Sequence, residues 1–436
     1  MSILLWNRLT YLTFLLSGIY IIFFSPPGFL DQYFSPFLKT YKKSLLYLIP
    51  WIMLWPIYRL GIITAKAYRF EIILMLYILL LGVVNIVLSD NISFSYVSMR
   101  RFFLTGIAAM WTAMFVIRDQ KRRNIFDIFC CSCLLIIILT EIINLLFKGT
   151  FDPYYNLSAI LTSHTIPLGS ILLLLALGPF NFIASGSTKK NIVGWFLVLS
   201  GLLLILILQK KSTYLAVLAI IIVLLLILFP RVRYILATTL VALIILILLK
   251  GGPFYKQLNP SIHSDFGILN RVELYSYALH IYKKHPYFGI GLRSLTHENY
   301  LSDYQVLNKQ LVNFDLPGTN WISFSDTIKD LHTFDNMLLT SFVELGTFMS
   351  VTYLLLICYI ILRYCRLTSS YREIRIQGLY RLLPLIGLAV HSMTYDSLMF
   401  PQVNWLFHVQ LGILSGFSPA NAPSFSTHQS PNKVLL

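Results

Sequence analysis

Charge is the scarcest feature of this sequence. Asp, Glu, Lys and Arg make up 12% of its 436 residues, about half the roughly 25% of an ordinary soluble chain. Acids are the rarer sign, with 18 Asp+Glu against 34 Lys+Arg and a net charge of +16. Cysteine is scarce as well. Of the five, Cys130, Cys131 and Cys133 share one apolar run, and Cys358 and Cys365 lie at or near another. None falls in the long hydrophilic segment, which excludes a disulfide scaffold. They read as small apolar fillers, and a CxxC-like pair in lipid without a nearby His is a poor metal site. No repeat of 20–50 residues and no low-complexity segment is visible. What is abundant is apolar: 57% hydrophobic residues and a mean hydropathy of +0.73. This excludes a disordered chain and argues strongly against a soluble enzyme with one core. No basic stripe lies on a soluble domain, so nucleic acid is not an expected partner. The expected solvent is lipid.

A membrane helix needs about 20 mostly apolar residues. About twelve stretches qualify: 8–25, 44–64, 70–89, 102–117, 124–147, 157–177, 191–208, 212–229, 234–249, 336–362, 382–398 and 402–417. The fold class expected is therefore an all-α integral membrane protein of about 12 transmembrane helices. It divides into nine spans over 1–249, a long partly helical loop over 250–335, three spans over 336–417 and a disordered tail over 418–436. The first stretch is kept as a span, since it is too long and too weakly followed by small residues for a cleaved signal.

Basic residues in short loops set orientation. Alternate loops hold Arg59, Lys66 and Arg69, then Arg118, Lys121, Arg122 and Arg123, then Lys189 and Lys190, then Arg231 and Arg233. The last of the set holds Arg363, Arg366, Arg372, Arg375 and Arg381. These loops are placed in the cytoplasm with both termini. The long hydrophilic loop, between helices 9 and 10, then lies outside and holds eight of the 18 acids. Two basic pairs break the pattern. Lys210 and Lys211 form a tight hairpin on the outer face, and Arg100 and Arg101 open the span at 102. Snorkelling is the ordinary explanation for such pairs. Fixed at the surface, they also suit an anionic headgroup, above all a pyrophosphate.

Three further stretches carry chemistry. In 267–291, Leu274, Tyr275, Ala278, Leu279 and Tyr282 recur at three and four, giving an amphipathic helix from Arg271 to His285 lying along the membrane face. Pro286 ends it, and Gly289 and Gly291 follow. Arg271 at its start opposes the helix dipole, so an anionic partner or ligand is expected; Asp265 and Glu273 are the ordinary partners. In 331–346, Asp335 and Asn336 suit an N-cap. Glu344 lies two turns inside the span, where a carboxylate is costly unless paired, and His332 precedes the cap. In 391–401, His391 and Asp396 stand between the last two spans, either as interfacial polar residues or as a site.

In this order, these stretches resemble the O-antigen ligase and O-antigen polymerase superfamily. The resemblance rests on Arg271, Tyr275, Ala278, Pro286, Gly289 and Gly291; on Asp335, Asn336, Glu344 and Gly346; on His391, Ser392, Asp396 and Pro401; and faintly on Asp152, Pro153 and Asn156. Two departures stand out: Lys211 replaces an Arg in the hairpin, and Asp335 replaces a His before Asn336. Lys keeps the charge without the bidentate fork. The resemblance implies a glycosyltransferase of the bacterial inner membrane with a periplasmic site and no metal or cofactor. It would take a glycan from undecaprenyl pyrophosphate to a lipid A-core or a growing polysaccharide. Lys210, Lys211 and Arg271, with Arg100 and Arg101, would hold the pyrophosphate. Asp335 or His332 would act as base, with Asn336, Glu344, Tyr275, His391 and Asp396 in support. The rival reading is a polytopic transporter or flippase, with Glu344 and His391 in a proton relay; the absence of a visible repeat between the halves counts against it.

Overall fold

The computed structural model describes residues 3–24, 68–89, 91–148, 165–185, 187–208, 211–228, 266–294, 334, 336–369 and 372–417. Among them every regular element is helical. The helices are α1 (Ile3–Phe24), α2 (Arg69–Val87), α3 (Ile92–Ser98), α4 (Thr105–Val116), α5 (Gln120–Lys148), α6 (Thr165–Leu175), α7 (Leu177–Ile183), α8 (Thr188–Leu208), α9 (Lys211–Leu228), α10 (Phe266–Lys284), α11 (Met337–Ser369), α12 (Arg372–Ser392) and α13 (Pro401–Ser415). A π-helical turn, Met99–Leu104, leads into α4, and a 3-10 turn, Ser397–Met399, precedes α13.

Among the described residues, four stretches are long and apolar enough to cross a membrane: Arg69–Val87, Gln120–Ile143, Thr188–Ile207 and Met337–Thr368. Their outward faces are greasy at helical spacing. Ile73, Leu76, Leu80, Val83 and Val87 on α2 are exposed, as are Ile192, Phe196, Leu199, Leu203 and Leu206 on α8. Water does not tolerate apolar stripes of that length on a monomer, whereas lipid does. The expected spans 44–64 and 234–249 lie outside the described residues. Two others are shifted. The run expected to end at 177 continues through α6 and α7 to Ile183. Pro179 breaks it by withdrawing the bond to the Leu175 carbonyl, and Gln410 donates to the adjacent Leu174 carbonyl at 2.7 Å. The span expected over 382–398 ends at Ser392 instead. Thr394 N–H returns to the His391 carbonyl at 3.1 Å, and Met399 N–H to that of Asp396 at 3.1 Å, closing a turn.

α13 is the axis of the bundle, buried from Gln402 to Ser415. α4 packs against it at closest approach. A Cβ on Gly412 would fall 2.2 Å from the Met110 carbonyl oxygen, the small-residue contact that lets helices associate in lipid.

The two ends of the bundle differ in chemistry. On α2, Glu71 stands near one end and Asn85 near the other, roughly 21 Å apart. At the Glu71 end three arginines are partnered. Arg363 pairs with Glu71. Arg381 Nη2 lies 3.1 Å from Asp127 Oδ2, whose other oxygen accepts from Asn181 at 2.9 Å. Arg123 donates to the Arg118 carbonyl at 2.7 Å and lies over the Phe417 ring. The arginines expected only to mark a face therefore also tie α2 to α11 and α5 to α12.

At the Asn85 end, α11 is broken at Gly346 (φ 76°, ψ 173°). In an unbroken helix Thr347 N–H would bond to Val343 and Phe348 N–H to Glu344. Here those carbonyls accept from Ile290 N–H at 3.1 Å and Gly291 N–H at 3.0 Å. The two amides donate instead to Pro286 at 2.9 Å and Tyr287 at 3.3 Å. Asn85 Nδ2 adds bonds to the Phe288 carbonyl at 2.6 Å and the Glu344 carbonyl at 2.9 Å. Residues 286–291 thus fill the gap in α11, as open backbone inside a membrane protein requires.

The gap admits no side chain. A Cβ at Gly346 would sit 2.4 Å from the Tyr287 oxygen, and one at Gly289 would sit 2.4 Å from the Glu344 oxygen. The Gly346 dihedrals alone cost another residue about 1–3 kcal/mol. Gly346→Ala should therefore lower the unfolding temperature in detergent by at least about 1–3 °C. Gly201→Ala, whose new Cβ meets nothing within 4 Å, should be neutral or stabilising. Equal unfolding temperatures for the two variants would contradict the account.

Candidate functional site

The entry to α11 is built on its cap. Asn336 Oδ1 accepts from Leu339 N–H at 3.0 Å, so Asn336 is the N-cap; Asp335, like His332 and Lys210, lies outside the described residues. Asn336 Nδ2 reaches across to the Met393 carbonyl at 3.0 Å. One turn further in, the buried Thr340 hydroxyl donates to Asp396 Oδ2 at 2.9 Å and accepts from Phe334 N–H at 3.3 Å. These bonds stitch the 334–340 stretch to the 391–397 stretch.

A second set joins the 391–397 stretch to the start of α9. His391 is fully buried. Its Nδ1 lies 2.7 Å from Ser397 Oγ and 3.1 Å from Ser170 Oγ, and its Nε2 lies 3.3 Å from Ser212 Oγ. Ser212 is the second residue of α9, directly after Lys211. His391 and Asp396, expected as interfacial groups or a site, are thus interior groups with assigned partners.

α10 closes the arrangement from the other side. It starts at Phe266, so Arg271 stands in its second turn and not at its start. The dipole argument for a ligand at Arg271 therefore lapses. Its buried face is Leu274, Tyr277, Ala278 and Ile281, packed with Ile290, Phe334 and Val343 and flanked by Tyr275. Leu279, expected on that face, is exposed. The helix is docked on the start of α11 through this face. The side chains of Arg271, Lys211 and Arg101 lie outside those described. Arg100 stands with its guanidinium 5.3 Å over the Tyr96 ring, a cation–π contact.

Glu344 sits in the break of α11 with no exposed surface. The Arg293 backbone N–H approaches its carboxylate, and the charges of Arg293 and Asp396 act on it. Neither oxygen completes a hydrogen bond among the described residues. Among the described residues, a cation whose charge acts on Glu344 is Arg293. That residue adopts φ 62°, the left-handed region, without being glycine. Its position two residues after Gly291 was the available signal. Ser170, Ser212, Thr340 and Ser397 were missed because single hydroxyls in apolar runs look like ordinary helix residues.

Beneath the stitched polar layer lies an apolar cavity of about 360 Å³ between α11, α12 and α13. Met337, Leu338 and Met393 stand at the Asn336 end, and Ile361 and Leu385 line it further along. A polar cluster over a greasy chamber fits an amphiphile whose headgroup meets hydroxyls and carboxylates while its chain enters the bundle. Among the described residues no three His, Cys, Asp or Glu side chains are grouped to hold a metal ion.

A family model described as O-antigen ligase (Wzy_C) matches residues 195–317. The match spans the end of α8, α9, α10 and the Pro286–Gly291 turn, and it bears out the resemblance to the O-antigen ligase and polymerase superfamily. No curated protein matches the chain.

Removing the Thr340 hydroxyl leaves Asp396 and Phe334 N–H short of a partner in a buried place, at a cost of about 1–3 kcal/mol. Thr340→Val should cut activity about tenfold or more, and Thr340→Ser should stay within about twofold. Glycan profiles from cells complemented with each variant check this.

Proposed function

We propose that this chain is an O-antigen ligase- or polymerase-type glycosyltransferase of the bacterial inner membrane. It moves a glycan from undecaprenyl pyrophosphate to an acceptor hydroxyl at the periplasmic face. The acceptor is a lipid A-core for a ligase or another lipid-linked repeat for a polymerase. The observation that carries the reading is the convergence of the start of α9, the α11 entry and the 391–397 turn above an apolar cavity. The O-antigen ligase match over 195–317 supports it.

In this reading the acceptor oxygen attacks the anomeric carbon. The carbon–oxygen bond to the pyrophosphate breaks, and the pyrophosphate leaves on its polyprenyl carrier. Lys210, Lys211 and Arg271 stabilise the charge that grows on the leaving group. The acceptor proton passes to Asp335 or His332. Asn336 and Thr340 hold the turn that carries Asp396, and Glu344 with Arg293 anchors the loop below. The cavity receives a lipid chain.

Purified protein in detergent, mixed with a lipid-linked glycan and an acceptor, should transfer glycan without any sealed compartment; a transporter would not. Arg271→Ala should abolish that transfer while the protein still inserts. Asp335→Asn or His332→Ala should reduce it by about 10²–10⁴-fold, the scale of a lost general base. Full transfer by the Arg271 variant, or by both base variants, would sink these roles.

A further inference from the structure

His391 joins parts of the chain that are far apart in sequence. Ser170 comes from α6, Ser212 from the first turn of α9, and Ser397 from the turn before α13. One proton order satisfies all four groups. Ser170 O–H donates to Ser397 Oγ at 3.1 Å, Ser397 O–H donates to His391 Nδ1 at 2.7 Å, and His391 Nε2–H donates to Ser212 Oγ at 3.3 Å. The ring is then neutral and uses both nitrogens. Such a chain, buried inside a membrane bundle, is directional where apolar packing is not. It sets the distance between the elements it joins.

Those elements bear on the two sides of the proposed site. Ser212 follows Lys211 at the start of α9. Ser397 follows Asp396, which accepts from Thr340, and the same turn offers the Met393 carbonyl to Asn336. We propose that His391 is a positioning residue: a strut that holds the Lys211 turn of α9 at a fixed place relative to the Met393–Ser397 turn. The donor-side cation and the acceptor-side cap and carboxylate then move as one unit. This rests on the reading above for what Lys211 binds, but the strut itself is a property of the fold.

The consequences separate by residue. Ser212→Ala cuts only the link to α9 and should weaken donor binding. Ser397→Ala cuts the link to the turn and should act mainly on kcat. His391→Ala should do both, and His391→Gln, which keeps one polar arm, should recover part of either effect.

Two measurements on the full-length protein in detergent decide it. The first is a double-mutant cycle on binding of undecaprenyl pyrophosphate. Lys211→Ala and Ser212→Ala should each weaken binding about tenfold, the scale of one buried hydrogen bond. Together they should be no worse than Lys211→Ala alone, because Ser212 acts through Lys211. Additive losses would overturn the proposal. The second is hydrogen exchange of residues 211–214 and 393–397. His391→Gln should speed exchange in both segments together. A change in one segment alone, or in neither, would overturn it. His408→Gln removes an equally buried imidazole, bonded to Tyr353 at 2.9 Å, and should leave both segments as they were; the same change there would mean general loosening and would also overturn the strut. If the parent protein does not bind undecaprenyl pyrophosphate, the donor assignment fails, and the exchange result still decides the strut.

Discussion

A helix cannot simply stop inside a membrane, because its open amides and carbonyls find no water there. α11 is broken at Gly346, and the structure depends on how that break is filled. Residues 286–291 supply two amides and two carbonyls to the four groups the break frees. This backbone exchange fixes α10 against the α11 entry and brings Arg293 to Glu344. It also accounts for the glycines. Gly289, Gly291 and Gly346 all have positive φ, and at the two that face each other across the gap a Cβ would collide with backbone. The Pro-x-x-Gly-x-Gly turn and the Glu-Leu-Gly stretch are two halves of one joint.

Around that joint the polar groups are arranged by depth. The far end of the bundle carries arginines paired to acids that stand inside helices, Arg363 with Glu71 and Arg381 with Asp127. Such pairs are expensive to break, about 3–5 kcal/mol when one partner is removed. The near end carries hydroxyls, an imidazole and two carboxylates, with an apolar cavity beneath. One end is braced by charge and the other is assembled from weaker, more adjustable hydrogen bonds. The apolar cavity at the second would suit the chain of an amphiphile in the proposed reading.

Much of this was legible in the sequence, and the reasons for the rest are physical. Long apolar runs such as Arg69–Val87 and Thr188–Leu208 have few other ways to fold, so they read correctly. The α6–α7 break and the end of α12 at Ser392 did not, because each depends on a distant partner or a turn that hydropathy does not register. The α10 helix was visible from its spacing and from Pro286. Its buried face was visible only in part, since burying Tyr277 and Ile281 while leaving Leu279 exposed is a choice made by the docking partner. The motif residues were legible one by one, but what each touches was not. Glu344 stood out as a buried acid, but the approach of Arg293, a residue without periodicity, was not visible. Ser170, Ser212 and Ser397 carry no signal until His391 is placed among them.

The central claim is that the 286–291 turn lies in the break of α11. Tyr287 and Phe348 face each other across it with their rings stacked at 5.7 Å, and both are exposed. Cysteines at these two positions, in a chain with its own five cysteines replaced, should form a disulfide under mild oxidation in native membranes. Failure to cross-link, with each single cysteine still open to a thiol reagent, would contradict the account.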